Sequence, residues 1–341
     1  MPCRQGDLPE VLPCLIVIAV MTETEQTAET YDVVVVGGGV AGLSGALTLV
    51  RARRTVVVID AGEPRNAPAA AVHGFLTRDG TSPAELSEAG RAEIRGYGAQ
   101  ITAGRVASAA RSGDGFVVTL HDGSSFGARR LLVATGLVDE LPDVAGVRER
   151  WGRDVLHCPY CHGWEVRDQA LGVLASGPVA VDQALLFRQW TSDLTLFLHT
   201  APPPTDAEAE RLDARGITVV GGEVASLAII DGHLTGVRLA SGELVERQAV
   251  VVGPRFVART DGLSDLGLEM VAHPSGLGEH IAADPTGLTT VPDVWAAGNV
   301  ADLTAAVSGA ADAGVRVAAA LNADLIAEDT RHAVAAHRGP S

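Results

Sequence analysis

The run Tyr31-Asp-Val-Val-Val-Val36 followed by Gly37-Gly-Gly39-Val40-Ala41-Gly42 constrains the fold of this chain more than any other stretch. A short β-branched strand enters a glycine turn, and apolar residues then recur at helical spacing through Val50. Arg54 to Ile59 forms a second apolar run that ends at Asp60. Both strands are apolar throughout, so both faces must be buried, which is the condition of a parallel sheet in a βαβ unit. In Gly37-x-Gly39-x-x-Gly42 the first glycine permits the tight turn. The second lets a pyrophosphate approach the backbone, and the third lets helix and strand pack closely. Val40 and Ala41 open the helix, whose N-terminus offers free N–H groups to phosphate oxygens. Asp60 stands where an acid holds a ribose 2′-hydroxyl. A lone glycine turn with a solvated acid would mean little, but here strand, turn, helix and acid agree.

The pattern then repeats. Phe116 to Leu120, a turn at His121-Asp-Gly123 and the run Arg129 to Ala134 read as a hairpin and a returning strand. Leu171 to Leu174, a turn at Ala175 to Pro178, a helix over Val179 to Gln189 and a strand Leu194 to Leu198 form a second unit of the same kind. Further expectations are a helix at about Asp206 to Arg215, a strand–hairpin over Val219 to Leu239 and a returning strand Ala249 to Val252. After Gly253 the chain is expected to rejoin the first unit, with a strand Val294 to Ala297 and an Ala-rich helix Ala305 to Asp324. The fold class is therefore α/β, with two Rossmann-like dinucleotide-binding domains. One comprises residues 31–145 and 255–325, and the other residues 146–254. Residues 326–341 are expected to be a frayed tail.

Composition narrows the partners. Of 341 residues, 47% are hydrophobic and 20% charged, which suits a globular chain. The formal net charge of −16 disfavours nucleic acid and anionic membrane surfaces. Every basic residue other than histidine is arginine, which with the abundant Ala, Gly and Val reflects coding bias rather than function. Val11 to Met21 is apolar apart from Pro13, too short to span a bilayer as a helix and weakly flanked for a signal peptide. Met21 is a candidate start, and residues 1–30 are expected to be a disordered leader with no part in catalysis. The expected location is cytoplasmic.

Four cysteines do not make a disulfide framework. Cys3 and Cys14 lie in the leader, leaving Cys158-Pro159-Tyr160-Cys161-His162 as the chemical centre. A CxxC pair at a helix start has a lowered thiol pKa, and Pro159 stiffens the loop between the sulfurs. His162 can move a proton to or from the interchange thiol, and His157 is a competing candidate. A metal site would need further ligands at close spacing, and no second CxxC or nearby CxxH exists, so no metal is expected. Thiol–disulfide chemistry beside a dinucleotide points to a flavin. Two turns support FAD: Thr135-Gly136 after the returning strand, and Gly298-Asn299 near the C-terminus, where two-dinucleotide flavoproteins usually carry Gly-Asp.

The second nucleotide turn is degenerate. Ala175-Ser176-Gly177-Pro178-Val179-Ala180 has lost its first glycine, and Pro178 removes an N–H where phosphate would want one. The strand that follows ends in His199-Thr200-Ala201-Pro202, where an NADPH site would carry a pair of arginines.

Taken in order, these motifs resemble the low-molecular-weight thioredoxin reductase family across nearly all of residues 31–325. The Cys-Pro-Tyr-Cys-His-Gly-Trp-Glu form more closely resembles a branch that includes the gliotoxin and holomycin dithiol oxidases, as do Arg65-Asn66-Ala67-Pro68 and Val72-His73-Gly74-Phe75. His162 stands where ordinary thioredoxin reductases have Asp. The resemblance implies that Arg65 and Asn66 belong to the cofactor site, that Cys161 faces the flavin and that Cys158 exchanges with substrate. The reading that follows is a homodimeric FAD enzyme that oxidises a small-molecule dithiol and returns the electrons to O₂. The alternatives are a disulfide reductase fed by NADPH or ferredoxin, and a non-catalytic flavin redox sensor.

Overall fold

A computed structural model describes residues 29–339. The leader expectation for residues 1–30 therefore lies almost wholly outside the described residues. The first βαβ unit forms as the pattern requires. Strand Glu29–Val36 pairs in parallel with Val56–Asp60 on one side and Ser125–Val133 on the other. Alternate residues of the first strand feed two separate cores. Val34 and Val36 join one face with Val57, Ile59 and Phe116, while Val33 and Val35 join the other with Leu49 and Leu321. The seven strands of this sheet run in the order Gln100–Ala103, Val56–Asp60, Glu29–Val36, Ser125–Val133, Gly115–Leu120, Val106–Ser112, with Val294–Ala296 added beside Ser125–Val133. The return of the chain to the first unit after Gly253 is thus realised through that late strand.

The second unit repeats the design. A five-stranded parallel sheet has the order Thr218–Val220, Leu194–Phe197, Leu171–Leu174, Ala249–Val252, Val155–Leu156. It is covered on both faces by apolar clusters, with an antiparallel three-stranded sheet over Val224–Glu246 alongside. A fourth sheet was not legible in the sequence. Leu137–Glu140 and Arg255–Ala258 lie antiparallel, joined by Gly278–Ile281 and Met270–Ala272. The first two are the segments by which the chain leaves the first unit and re-enters it, so this pair is the junction between the units.

Two boundaries depart from expectation. The second strand starts at Val56 rather than Arg54, because the Arg54 guanidinium turns outward to Asn322 Oδ1 (2.8 Å) and Asp329 Oδ2 (2.7 Å). The expected tail is instead helix. A single helix spans Val307–Arg338, and its last third is held by ion pairs. Arg129 reaches Glu328 at 2.8 Å and Asp329 at 2.5 Å, and Arg130 reaches Glu328 at 3.0 Å. Among the described residues no helix is long and apolar enough to cross a membrane.

Candidate functional site

A cavity of about 450 Å³ lies at the junction, with the glycine turn on one wall and the cysteine pair on another. Gly37 adopts φ +108°, and a Cβ there would lie 2.4 Å from Ala134 O, so only glycine fits. A Cβ on Gly42 would stand 1.9 Å from Gly37 O; that residue serves helix–turn packing and does not line the cavity. Nothing lies within 4 Å of a Cβ built on Gly39, which leaves an open cradle in front of the helix Val40–Arg51. The first N–H groups of that helix, from Val40 and Ala41, have no intrahelical acceptor and face the same wall. Asp60 closes the turn, accepting Gly38 N–H on Oδ1 (3.2 Å) and Arg91 on Oδ2 (2.8 Å).

The remaining expected cofactor residues divide between wall and scaffold. Thr135 and Gly136 line the cavity; Thr135 Oγ1 donates to Arg259 O (2.6 Å), and Gly136 O accepts Arg259 N–H (2.9 Å). Gly298 lies behind the wall at φ +79°, where a Cβ would meet Ala41 Cβ at 2.7 Å. Asn299 is in the wall, and its amide donates to Ala305 O (2.9 Å) and Asp302 O (3.2 Å). A carboxylate could not donate those two bonds, which is a physical reason for Asn at this position. Asn66 lines the cavity. Arg65 also lines it, but its guanidinium is committed elsewhere: it is bidentate to Asp139 (2.8 and 2.7 Å) and stacked 4.9 Å over the Phe256 ring. An open glycine cradle, free helix N–H groups and a braced acid fit the pyrophosphate and ribose of a dinucleotide.

Cys158 and Cys161 form a disulfide with Cα atoms 5.3 Å apart. Cys158 caps the short turn Pro159–His162, with the buried Pro159 at its first position as the sequence suggests. Backbone N–H groups of Cys161 and His162 donate to Cys158 O at 3.3 and 3.1 Å, which fixes the loop between the sulfurs. Both cysteines and His162 lie in the cavity wall. His162 Nε2 is buried and has no hydrogen-bond partner among the described residues. Burial pushes its pKa down; the nearby Glu165 carboxylate opposes this and His73 adds to it. His157 is placed differently. Its Nδ1 sits 3.3 Å from Val252 O, which can only accept, and its ring meets Phe256 edge-on at 5.1 Å. Burial lowers the His157 pKa as well. Its ring is thus anchored in the junction, whereas that of His162 keeps a free nitrogen.

The degenerate nucleotide turn is satisfied by its own surroundings. Ser176 Oγ accepts Gly253 N–H (3.0 Å) and donates to Gly253 O (3.2 Å). Gln183, buried on the next helix, donates to His157 O (3.2 Å) and Val252 O (3.4 Å). At the end of strand Leu194–Phe197, His199 Nδ1 accepts Val224 N–H (3.0 Å). Groups that would face a nucleotide phosphate are engaged within the protein.

Several site residues escaped the sequence reading: Arg91, Arg259, Asp139 and Gln183. The helix Pro83–Gly96 that carries Arg91 was signalled by its capping box, Ser82 with Glu85 and Pro83 at the first position, but the reach of Arg91 to Asp60 depends on packing. His73, noted only within a motif, lines the cavity beside His162.

Comparison with known proteins agrees with this geometry. The family described as pyridine nucleotide-disulphide oxidoreductase matches residues 31–323. The thioredoxin reductase sirT of Leptosphaeria maculans is 30% identical over 316 residues, covering 88% of this chain and 95% of that one. The thioredoxin reductase tcpT of Claviceps purpurea is 32% identical and covers 80% and 87%. The crystal structure of HlmI is similar with a TM-score of 0.85 and 50% identity, covering 92% of this chain and 97% of its own. The chain belongs to the pyridine nucleotide-disulphide oxidoreductase family and is an FAD-binding, thioredoxin reductase-like oxidoreductase that carries a Cys158–Cys161 disulfide.

Proposed function

We propose that this disulfide oxidoreductase runs in the oxidising direction, converting a small-molecule dithiol to its disulfide with O₂ as final acceptor and H₂O₂ as product. The observation that carries the reading is the second nucleotide turn, where Ser176 and Gly253 satisfy each other, Gln183 is engaged by His157 O and Val252 O, and Pro178 offers no N–H. Electrons then have to enter from the thiol side. A substrate thiolate attacks Cys158 Sγ, the Cys158–Cys161 bond breaks, and Cys161 leaves as a thiolate. The second substrate thiolate attacks the substrate sulfur of the mixed disulfide, releasing the product and a Cys158 thiolate. His162, with Nε2 free, takes the proton of the attacking thiol. FAD, held by Gly37, Gly39, Val40, Ala41, Asp60, Thr135, Gly136 and Asn299, supplies the two-electron acceptor for the reduced pair and the route to O₂. The proposed active species is a homodimer, and sedimentation of the holoenzyme at the mass of two chains checks it.

The discriminating measurement is stopped-flow absorbance of the flavin under anaerobic conditions. Dithiothreitol should reduce the flavin through the cysteine pair and NADPH should not. Admitting O₂ should restore the oxidised spectrum with about one H₂O₂ per disulfide, since each couple carries two electrons. Rapid, saturable reduction by NADPH would reassign the enzyme as a disulfide reductase.

A further inference from the structure

We propose that Glu165 and His73 carry protons between His162 and solvent, making His162 the inner end of a side-chain relay that opens at Asp79. The inference deepens the dithiol-oxidase reading and rests on it. His162 Nε2 lies buried in the wall that holds the disulfide and has no hydrogen-bond partner among the described residues. An unpaired buried nitrogen calls for an explanation, and a group kept free for a substrate proton supplies one. Each dithiol brings two protons to the cysteine pair while H₂O₂ takes two up at the flavin, so a proton held on His162 has to move on before the next cycle.

The surroundings provide a way out. Glu165 lies three residues beyond His162, and its charge acts on that imidazole. Glu165 Oε1 is 3.4 Å from His73 Nε2. His73 Nδ1 is 3.4 Å from Asp79 Oδ2, and Asp79 Oδ1 is fixed by Gly74 N–H at 2.9 Å. His73 is thus an imidazole between two carboxylates, able to receive at one nitrogen and release from the other. It also lines the cavity itself. Asp79, at the outer end, is 67% exposed, against 22% for His73 and 41% for Glu165.

The transfer balances without moving electrons. The substrate S–H bond breaks and an N–H bond forms at His162 Nε2. When the Glu165 side chain swings to the imidazolium it takes one ring proton, it then passes that proton to His73 Nε2, and His73 releases its Nδ1 proton to Asp79 and water. A purely structural role is the competing account, in which the His73–Glu165 pair pins the upstream loop to the cysteine turn.

The test uses the oxidised holoenzyme and the variants Glu165→Gln, His73→Gln and Asp79→Asn. Imidazole resonances of ¹³C-labelled histidine are titrated, with the His162 signal assigned by its loss in His162→Gln. Glu165→Gln should move the His162 titration to lower pH and His73→Gln should move it to higher pH, because their charges act on it in opposite senses. Reduction of the disulfide by dithiothreitol should slow by about tenfold in Glu165→Gln and in His73→Gln, less than the roughly 10²–10⁴-fold typical of losing an acid–base group itself. Added imidazole buffer should restore the rate. Asp79→Asn should slow it less, because water reaches His73 directly. Shifts of the same sign, no shift in either variant, or a rate loss that imidazole does not rescue would each overturn the relay. Failure of dithiothreitol to reduce the wild-type disulfide would instead count against the oxidase reading, and the titrations would still decide the relay.

Discussion

His162 is the residue whose environment most directly sets the chemistry. Its ordinary pKa is near 6.5, and burial moves it down. At neutral pH the ring is therefore a free base, the form that the proposed proton transfer from an incoming thiol requires. His162→Ala should slow disulfide reduction by dithiol about 10²–10⁴-fold while flavin content is retained, whereas Cys158→Ser or Cys161→Ser should abolish it. Stopped-flow rates on flavin-normalised protein check both. Full activity in His162→Ala, with loss in His157→Ala, would reverse the assignment. The sign of the pH effect follows from the lowered pKa. The neutral ring is present in full above the ordinary histidine value, so the wild-type rate should be flat there and fall as pH drops through the lowered folded value. The same depression makes the folded state less stable in acid, since the unfolded chain takes up the proton first as pH falls through about 6.5. Choosing between the two histidines needed the structure, because both flank the CxxC pair in sequence. Only packing shows that His157 is committed to Val252 and Phe256.

The C-terminal helix shows what an element gains from distant charges. Its apolar spacing predicts a helix that stops near Asp324, because Ala327 to Arg338 presents no apolar stripe to a core. The structure continues it to Arg338. The extension is held from far upstream by Arg54, which lies just before the second strand, and by Arg129 and Arg130 of the strand Ser125–Val133. Arg130 is only 5% exposed, so its pairing with Glu328 and Asp324 is shielded from solvent. The same cluster holds the Glu328 and Asp329 carboxyls below their ordinary range. The double variant Glu328→Gln, Asp329→Asn should lower stability, because it removes charged acceptors from Arg54, Arg129 and Arg130, and should leave dithiol turnover unchanged. Urea midpoints with activity measured in parallel check this. An unchanged midpoint would mean that helix propensity alone sustains the last turns.

At the scale of the whole molecule, the decisive feature is the junction of Leu137–Glu140 with Arg255–Ala258. It brings Asp139 and Phe256 against Arg65, so a residue expected to hold cofactor also braces the two units. Asp139 is 8% exposed, and Arg65→Ala would leave that carboxylate without its bidentate partner. The expected cost is about 3 kcal/mol, typical of breaking a buried pair from one side, with FAD retained after gentle purification. Thermal unfolding with flavin quantitation checks it; loss of FAD at unchanged stability would return Arg65 to the cofactor site. The sequence by itself determined the two βαβ units, the glycine cradle with Asp60, the CxxC turn and the loss of the second nucleotide grip. Each of these depends on residues close together in the chain, where backbone freedom, side-chain period and capping leave few conformations. Tertiary structure alone decided the fourth sheet, the commitment of Arg65 to Asp139 and the approach of Glu165 to His73. Those contacts join segments tens to hundreds of residues apart, and which partners meet depends on how the units pack, which no local pattern encodes.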